Sequence, residues 1–252
     1  NISRDPLTVA LDKRVVHAAE VATQIKYLSR AQKKLPSYYA ARCIIPSLAF
    51  EQSSSEECAA HKPLSGGSVL DLTCGLGVDA LYLSKKFERV VTIERNEVLA
   101  EVARENFRRL GVKNIEVVCA DSAEYVASCC ERFDWCYADP DRRGEKGEKL
   151  VRLEDCSPDM ISLMPRLRSI AERVCIKASP MFDVEEALRL FDDCSVEVVS
   201  LGDECKEVLI YIGEKGEHQI TATALGIGSY TKATNSMPTP STPEFRGEEY
   251  RW

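Results

Sequence analysis

Four carboxylates stand at the ends of four short apolar runs, and this spacing is the chemistry on offer. Asp71 closes a run that starts at Val69, Glu94 follows 90–93, Asp121 follows 115–119, and Asp139 follows 135–138. Between the first two acids lies Gly75-Leu76-Gly77, after which a helical pattern starts at Val78. An apolar run, a glycine turn and a helix start make a strand–turn–helix unit. Such a turn lets a flat, extended ligand approach the main chain because no Cβ intrudes, and the helix N-terminus points free N–H groups at it.

Two cofactor classes use this kind of turn. Gly75-Leu76-Gly77-Val78-Asp79-Ala80 satisfies a loose dinucleotide fingerprint, but a pyrophosphate held there would meet the carboxylate of Asp71. S-adenosylmethionine (SAM) carries a sulfonium and an ammonium and no phosphate, so acids attract it. Glu94, nineteen residues after Gly75, stands where either class wants an acceptor for ribose hydroxyls. Asp121 with Ser122 stands where an acid accepts from an adenine amino group. Asp71 therefore separates the classes and favours SAM over NAD.

On these residues the chain resembles the class I SAM-dependent methyltransferases over roughly 62–213. The resemblance implies that Asp71, Thr73, Gly75, Gly77 and Asp79 surround the methionine part, Glu94 the ribose, and Asp121 with Ser122 the adenine. It places Asp139 and Pro140 opposite the transferable methyl. The flanking sequence is most similar to a bacterial subgroup of methyltransferase-like proteins whose longer members carry ferredoxin-like and THUMP-like parts. THUMP modules accompany RNA modification, so the resemblance implies an RNA substrate, tRNA or rRNA. After Pro140 the familiar second Pro and aromatic are replaced by Asp141 and Arg142, which removes the ring that would stack on a base. Arg142 or Arg143 is placed to fork onto a substrate phosphate or carboxylate, or else to neutralise Asp141. Lys177, at another strand end, either faces the site or is a buried, paired lysine.

The positioning elements follow the alternation of strand and helix patterns expected of a parallel sheet. Residues 96–110 give the clearest helix: Leu99, Val102, Ala103, Phe107 and Leu110 form one stripe, and Gly111 ends it. Further elements fall at 157–168, 174–177 and 184–191, the last capped by Asp183. Segments 195–201 and 207–213 are joined by a link too short for a crossover helix, so they should pair antiparallel. The expected fold is α/β and Rossmann-like, with a mostly parallel seven-stranded sheet whose last pair is antiparallel. A helical lobe at 1–61 precedes the SAM-binding domain at 62–216. Within the lobe a helix of several turns starts at Asp5-Pro6, a short one covers 37–42, and Ser53-Ser54-Ser55-Glu56 caps another that ends near His61. Gln52 and Ser53 are candidates for the cofactor wall, as the family resemblance implies. After 216 an extension to 252 offers one candidate strand at 218–225. From 226 onward it is rich in Gly, Ser, Thr and Pro and reads as loop, or as the start of a further, truncated domain.

Composition narrows the function classes. The 252 residues are 44% hydrophobic and 29% charged, and no apolar run approaches the roughly 18 residues of a membrane span. A soluble, cytoplasmic protein without membrane or metal is expected. Eleven scattered Cys without a CxxC suit reduced core residues, and three distant His show no ligand spacing. A net charge of −7 opposes nonspecific nucleic-acid binding. Yet 21–50 carries Lys26, Arg30, Lys33, Lys34 and Arg42 without an acid, interleaved with Tyr27, Tyr38 and Tyr39. That stretch either tracks a phosphate backbone or is a solvated helix face with its tyrosines turned inward. No Cys follows either central strand end, which sets aside cytosine C5 chemistry through a thiolate. Three function classes remain: a methyltransferase acting on RNA, one acting on a protein or small molecule, and a SAM-binding module without catalysis or an NAD-type dehydrogenase.

Overall fold

A computed structural model describes residues 4–141, 152–213 and 218–234. In chain order the elements are α1 (Pro6–Ala10), α2 (Ala18–Lys34), α3 (Pro36–Ala40), α4 (Ser47–Gln52), α5 (Glu56–His61), β1 (Gly66–Asp71), α6 (Val78–Leu83), β2 (Phe87–Glu94), α7 (Glu97–Arg109), β3 (Ile115–Cys119), α8 (Ser122–Ser128), β4 (Phe133–Ala138), α9 (Met160–Ile170), β5 (Ala171–Ala178), α10 (Val184–Leu190), β6 (Cys194–Leu201), β7 (Glu204–Ile212), β8 (His218–Ala224) and β9 (Gly228–Thr234). One sheet runs β3-β2-β1-β4-β5-β7-β6-β8-β9. Strands β1 to β5 are parallel, and β7 lies antiparallel between β5 and β6. This is the α/β, Rossmann-like arrangement expected, with the short 201–204 turn forcing the reversal.

The central strands are buried on both faces, and alternation sorts their side chains. Val69, Trp135 and Tyr137 join one core, which holds Leu28, Leu35 and Tyr38 of the helical lobe together with Leu81 and Phe107. Leu70, Cys136 and Ala138 join the other, packed by Val126, Met160, Met164, Leu167 and Leu188. Near-continuous apolar strands are what a sheet covered on both faces requires. The lobe is tied in by this packing. Leu35 and Tyr38 are fully buried, and the Tyr38 hydroxyl donates to the Leu76 carbonyl at 3.1 Å.

Four expectations are corrected. Among the described residues the sheet has nine strands, not seven, because β8 pairs parallel with β6 and β9 returns antiparallel on β8. β9 falls where Gly and Ser read as loop; alternating Tyr230, Lys232 and Thr234 meet partners only because β8 offers an edge. The first helix stops at Ala10 and restarts at Ala18, since Asp12 accepts from the Arg14 amide at 3.1 Å and turns the chain. The apolar spacing survives the break: Val9 packs on Ala22 and Ile25 across the turn. Finally, Ser55 rather than Ser53 caps α5, accepting from the Cys58 amide at 3.2 Å.

Among the described residues no helix is long and apolar enough to cross a membrane.

Candidate active site

Parallel pairing brings the carboxyl ends of β1, β2, β3 and β4 to one sheet edge, so the four acids gather there. Their roles differ more than the sequence suggests. Asp71 has no exposed surface. Its Oδ1 accepts from the Thr73 amide at 3.0 Å and the Thr73 hydroxyl at 3.3 Å, and its Oδ2 accepts from the Thr92 hydroxyl at 2.6 Å. Burial pushes this carboxyl up to about 7 even though those donors oppose it. Asp71 therefore shapes the loop from below instead of facing a ligand.

Thr73 continues the chain of contacts. Its hydroxyl oxygen accepts from the Asp139 amide at 2.7 Å, which locks the end of β4 to the loop after β1. Glu94 accepts from the Gly75 amide through Oε2 and from the Asn96 amide through Oε1, both at 2.9 Å. Each oxygen keeps a lone pair for a hydroxyl donor. Asp121 caps α8 through Oδ1, accepting from the Ala123 and Glu124 amides at 2.8 and 3.2 Å. Its Oδ2 has no partner among the described residues. The Ser122 hydroxyl is buried and donates to the Leu72 carbonyl at 2.6 Å, so it fastens α8 to the loop and does not point outward.

The two glycines also part company. Gly75 has φ +54°, and a Cβ there would meet nothing within 4 Å, so the turn opens onto free space. Gly77 has φ +84°, and a Cβ there would lie 2.5 Å from the Phe107 ring. Its lack of a side chain serves the packing of α6 against α7.

Asp79 belongs to an ionic cluster with Lys62, Lys177, Glu207 and Asp139. Lys62 Nζ donates to Asp79 Oδ1 at 2.8 Å and to Glu207 Oε1 at 3.2 Å. Ser54 Oγ donates to Asp79 Oδ2 at 2.9 Å and accepts from Lys177 Nζ at 2.9 Å. Lys177 Nζ also donates to Asp139 Oδ2 at 2.6 Å and lies 3.8 Å from Glu207. Burial alone would raise Asp79, but Lys62 and Lys177 hold it down at about 2. Burial would equally lower Lys62; Asp79 and Glu207 override it, and the ammonium is held above its ordinary range. Lys177 is raised in the same way, with Asp139 the leading attraction.

Ser54, Lys62 and Glu207 were not singled out by the sequence reading. A signal existed for Glu207, the last acid before the wholly apolar run 208–212, in a strand that pairs with the Lys177 end of β5. Gln52 is exposed, and the Ser53 hydroxyl donates to the Phe50 carbonyl, so neither joins this cluster.

Of the acids in this cluster Asp139 is the most exposed, with one-fifth of its side-chain surface accessible. Oδ1 has no hydrogen-bond partner among the described residues. Two residues on, Asp141 and Ser157 exchange backbone hydrogen bonds at 2.8 and 3.0 Å, pinning both ends of the long loop beside the site. Arg142 and Arg143 lie outside the described residues.

The basic stretch of the lobe is only partly engaged. Arg30 pairs with Glu51 at the surface, the Lys34 ammonium donates to the Phe50 carbonyl at 2.6 Å, and Tyr38 is buried, while Lys26, Lys33 and Arg42 are exposed. Tyr38 thus turns inward as one alternative has it, and the exposed lysines and arginines form a solvated face.

The residues present fit SAM. Open space lies above Gly75, carboxylates with unused lone pairs stand at Glu94, Asp121 and Asp139, and the nearby ammonium groups of Lys62 and Lys177 are buried and paired with acids. A pyrophosphate would face acids there; a sulfonium and a ribose would not suffer that repulsion.

Comparison with known proteins agrees. Residues 69–139 match the family model described as a methyltransferase domain. The crystal structure of a candidate methyltransferase from Porphyromonas gingivalis W83 superposes with a TM-score of 0.79 at 29% identity, covering 92% of this chain and 62% of that one. An uncharacterized SAM-dependent methyltransferase of Mycobacterium tuberculosis is 28% identical over 165 residues, 65% of this chain and 44% of the relative. The ribosomal RNA small subunit methyltransferase J of Coxiella burnetii is 31% identical over 127 residues, 44% of this chain and 49% of the relative. The chain thus spans about half the length of the curated relatives it matches. The acid-lined sheet edge, the methyltransferase-domain match over 69–139 and these likenesses together support a class I SAM-dependent methyltransferase domain in this chain.

Proposed function

We propose that this chain transfers the methyl group of SAM to an RNA acceptor. The observation that carries the transfer is Asp139, fixed through its amide by Thr73 and through Oδ2 by Lys177, with Oδ1 directed to no protein partner among the described residues. When bound, SAM supplies an electrophilic methyl on a sulfonium; an in-line displacement then needs chiefly a lone pair held close and aligned. Asp139 Oδ1 would accept an N–H or O–H of the acceptor and aim that lone pair, with the Pro140 carbonyl as a second acceptor. Glu94 would take the ribose hydroxyls, and Asp121 Oδ2 the adenine side. Thr73 and Asp71 hold the loop that these groups share.

RNA as the acceptor is supported by the Coxiella burnetii relative, whose name specifies ribosomal RNA. A protein or small-molecule acceptor is favoured instead by the net charge of −7 and by the internal pairing of Arg30 and Lys34. Tritiated methyl transfer from SAM to fractionated cell RNA and cell protein separates the two. Label in the RNA fraction is expected; label confined to protein would replace RNA by the second reading. Asp139→Ala should keep SAM binding to within about tenfold while transfer drops by about a hundredfold or more, the size of one lost acid–base or orienting contact. Unchanged transfer would instead favour a passive role for Asp139.

A further inference from the structure

Among the described residues Lys177 is the one cation that touches Asp139, and it is the more buried of the two. Its side chain is 7% exposed, against 20% for that of Asp139, so the pair straddles the boundary between core and crevice. Three neighbours surround the ammonium: Asp139 Oδ2 at 2.6 Å, Ser54 Oγ at 2.9 Å and Glu207 at 3.8 Å. Two of its N–H groups donate, to Asp139 and Ser54, and Glu207 adds an ion pair at longer range. Ser54 comes from the segment between α4 and α5, Glu207 from β7 and Asp139 from the end of β4, so parts of the chain far apart in sequence set one nitrogen. On the far side Ser54 leans on Asp79, which Lys62 holds.

We propose that Lys177, braced by Ser54 of the helical lobe, is the positioning residue for Asp139: it clamps Oδ2 and leaves Oδ1 as a single fixed acceptor at the crevice. This rests on the reading of Asp139 as the acid facing the methyl. Among the described residues the charged groups here are Lys62 and Lys177 with the acids Asp79, Asp139 and Glu207, and Asp139 is the outermost carboxylate of the set. Its charge lies where a sulfonium would be attracted and a neutral thioether would not. Without Lys177, an Asp139 facing Asp79 and Glu207 in a half-buried site swings to solvent or takes up a proton. Either way its charge leaves the site.

Affinity for SAM relative to its demethylated product, measured by titration calorimetry, reads this without any acceptor. In the wild-type background Asp139→Asn should lower the SAM-to-product affinity ratio about fivefold to tenfold. In the Lys177→Met background the same change should alter the ratio less than twofold, because the carboxylate is no longer held there; coupling of this kind is the signature of direct contact. An Asp139→Asn effect of equal size in both backgrounds would overturn the positioning role. Should Lys177→Met fail to fold by circular dichroism, Ser54→Ala carries the test: it keeps every charge, and the Asp139→Asn effect should shrink at least twofold, whereas no shrinkage overturns the brace. A wild-type protein that binds SAM with a ratio indifferent to Asp139→Asn would defeat the placement of Asp139 at the methyl. A wild-type protein that binds neither ligand would defeat the cofactor reading itself.

Discussion

At the scale of single residues, carboxylates with similar sequence settings do opposite jobs because burial differs. Asp71 is sealed under its loop and serves three donors from Thr73 and Thr92, while Asp139 ends its strand with one oxygen turned outward. The sealed acid has a pH consequence. Its ordinary value is 3.8 and burial raises it to about 7, so between these the folded protein holds a proton that the unfolded chain has lost. Stability from this group is greatest below about 4, falls as pH rises toward 7 and is level above. Urea unfolding of wild type and Asp71→Asn across that window should show the wild type losing ground to the variant by a few kcal/mol at most. A difference independent of pH would mean that the carboxyl is ionised throughout. Such a distinction between sealed and outward acids is not written in the sequence, where both simply follow an apolar run.

At the scale of elements, the glycine turn does two separate things. Gly75 leaves the crevice open, and Gly77 lets the start of α6 sit against Phe107 of α7. Gly77→Ala combines a left-handed backbone with a methyl 2.5 Å from a buried ring. Left-handed strain of about 1–2 kcal/mol and overpacking of about 1–3 kcal/mol predict a loss of roughly 2–5 kcal/mol by chemical denaturation. Phe107→Leu in the Gly77→Ala background should recover the overpacking part and none of the backbone part. Full recovery would show that the left-handed conformation carries no strain.

At the scale of the whole molecule, the helical lobe is bound to the sheet by more than apolar contact. Lys62, at the junction, is 1% exposed and neutralises both Asp79 and Glu207. Removing one partner of a buried pair leaves charge uncompensated and costs about 3–5 kcal/mol. Lys62→Met should show a loss of that size at pH 7. The loss should be smaller at pH 5, because the orphaned acids, their values raised in the folded variant, take up protons there and the folded form gains stability as pH falls. Glu207→Gln in the same background should restore part of the loss at pH 7. Equal losses at both pH values would mean that the acids remain compensated by Lys177 alone.

What the sequence determined by itself was local and periodic. The apolar runs ending in Asp71, Glu94, Asp121 and Asp139 specified parallel strands whose carboxyl ends share an edge, since strands buried on both faces must be apolar throughout and must be joined by helices. The 201–204 link specified the reversed strand, because so short a connection permits only an antiparallel return. The stripe from Leu99 to Leu110 specified α7. What only the tertiary structure decided was which polar groups are shut away and with whom. Asp79 pairs with Lys62, Ser54 joins Lys177 across 123 residues, and Glu207 lies buried against both lysines. β9 likewise exists because β8 presents an edge, not because its own composition demands a strand. A charged group buried alone is costly, so its position is settled by a partner of opposite charge, and that partner comes from wherever the fold brings it.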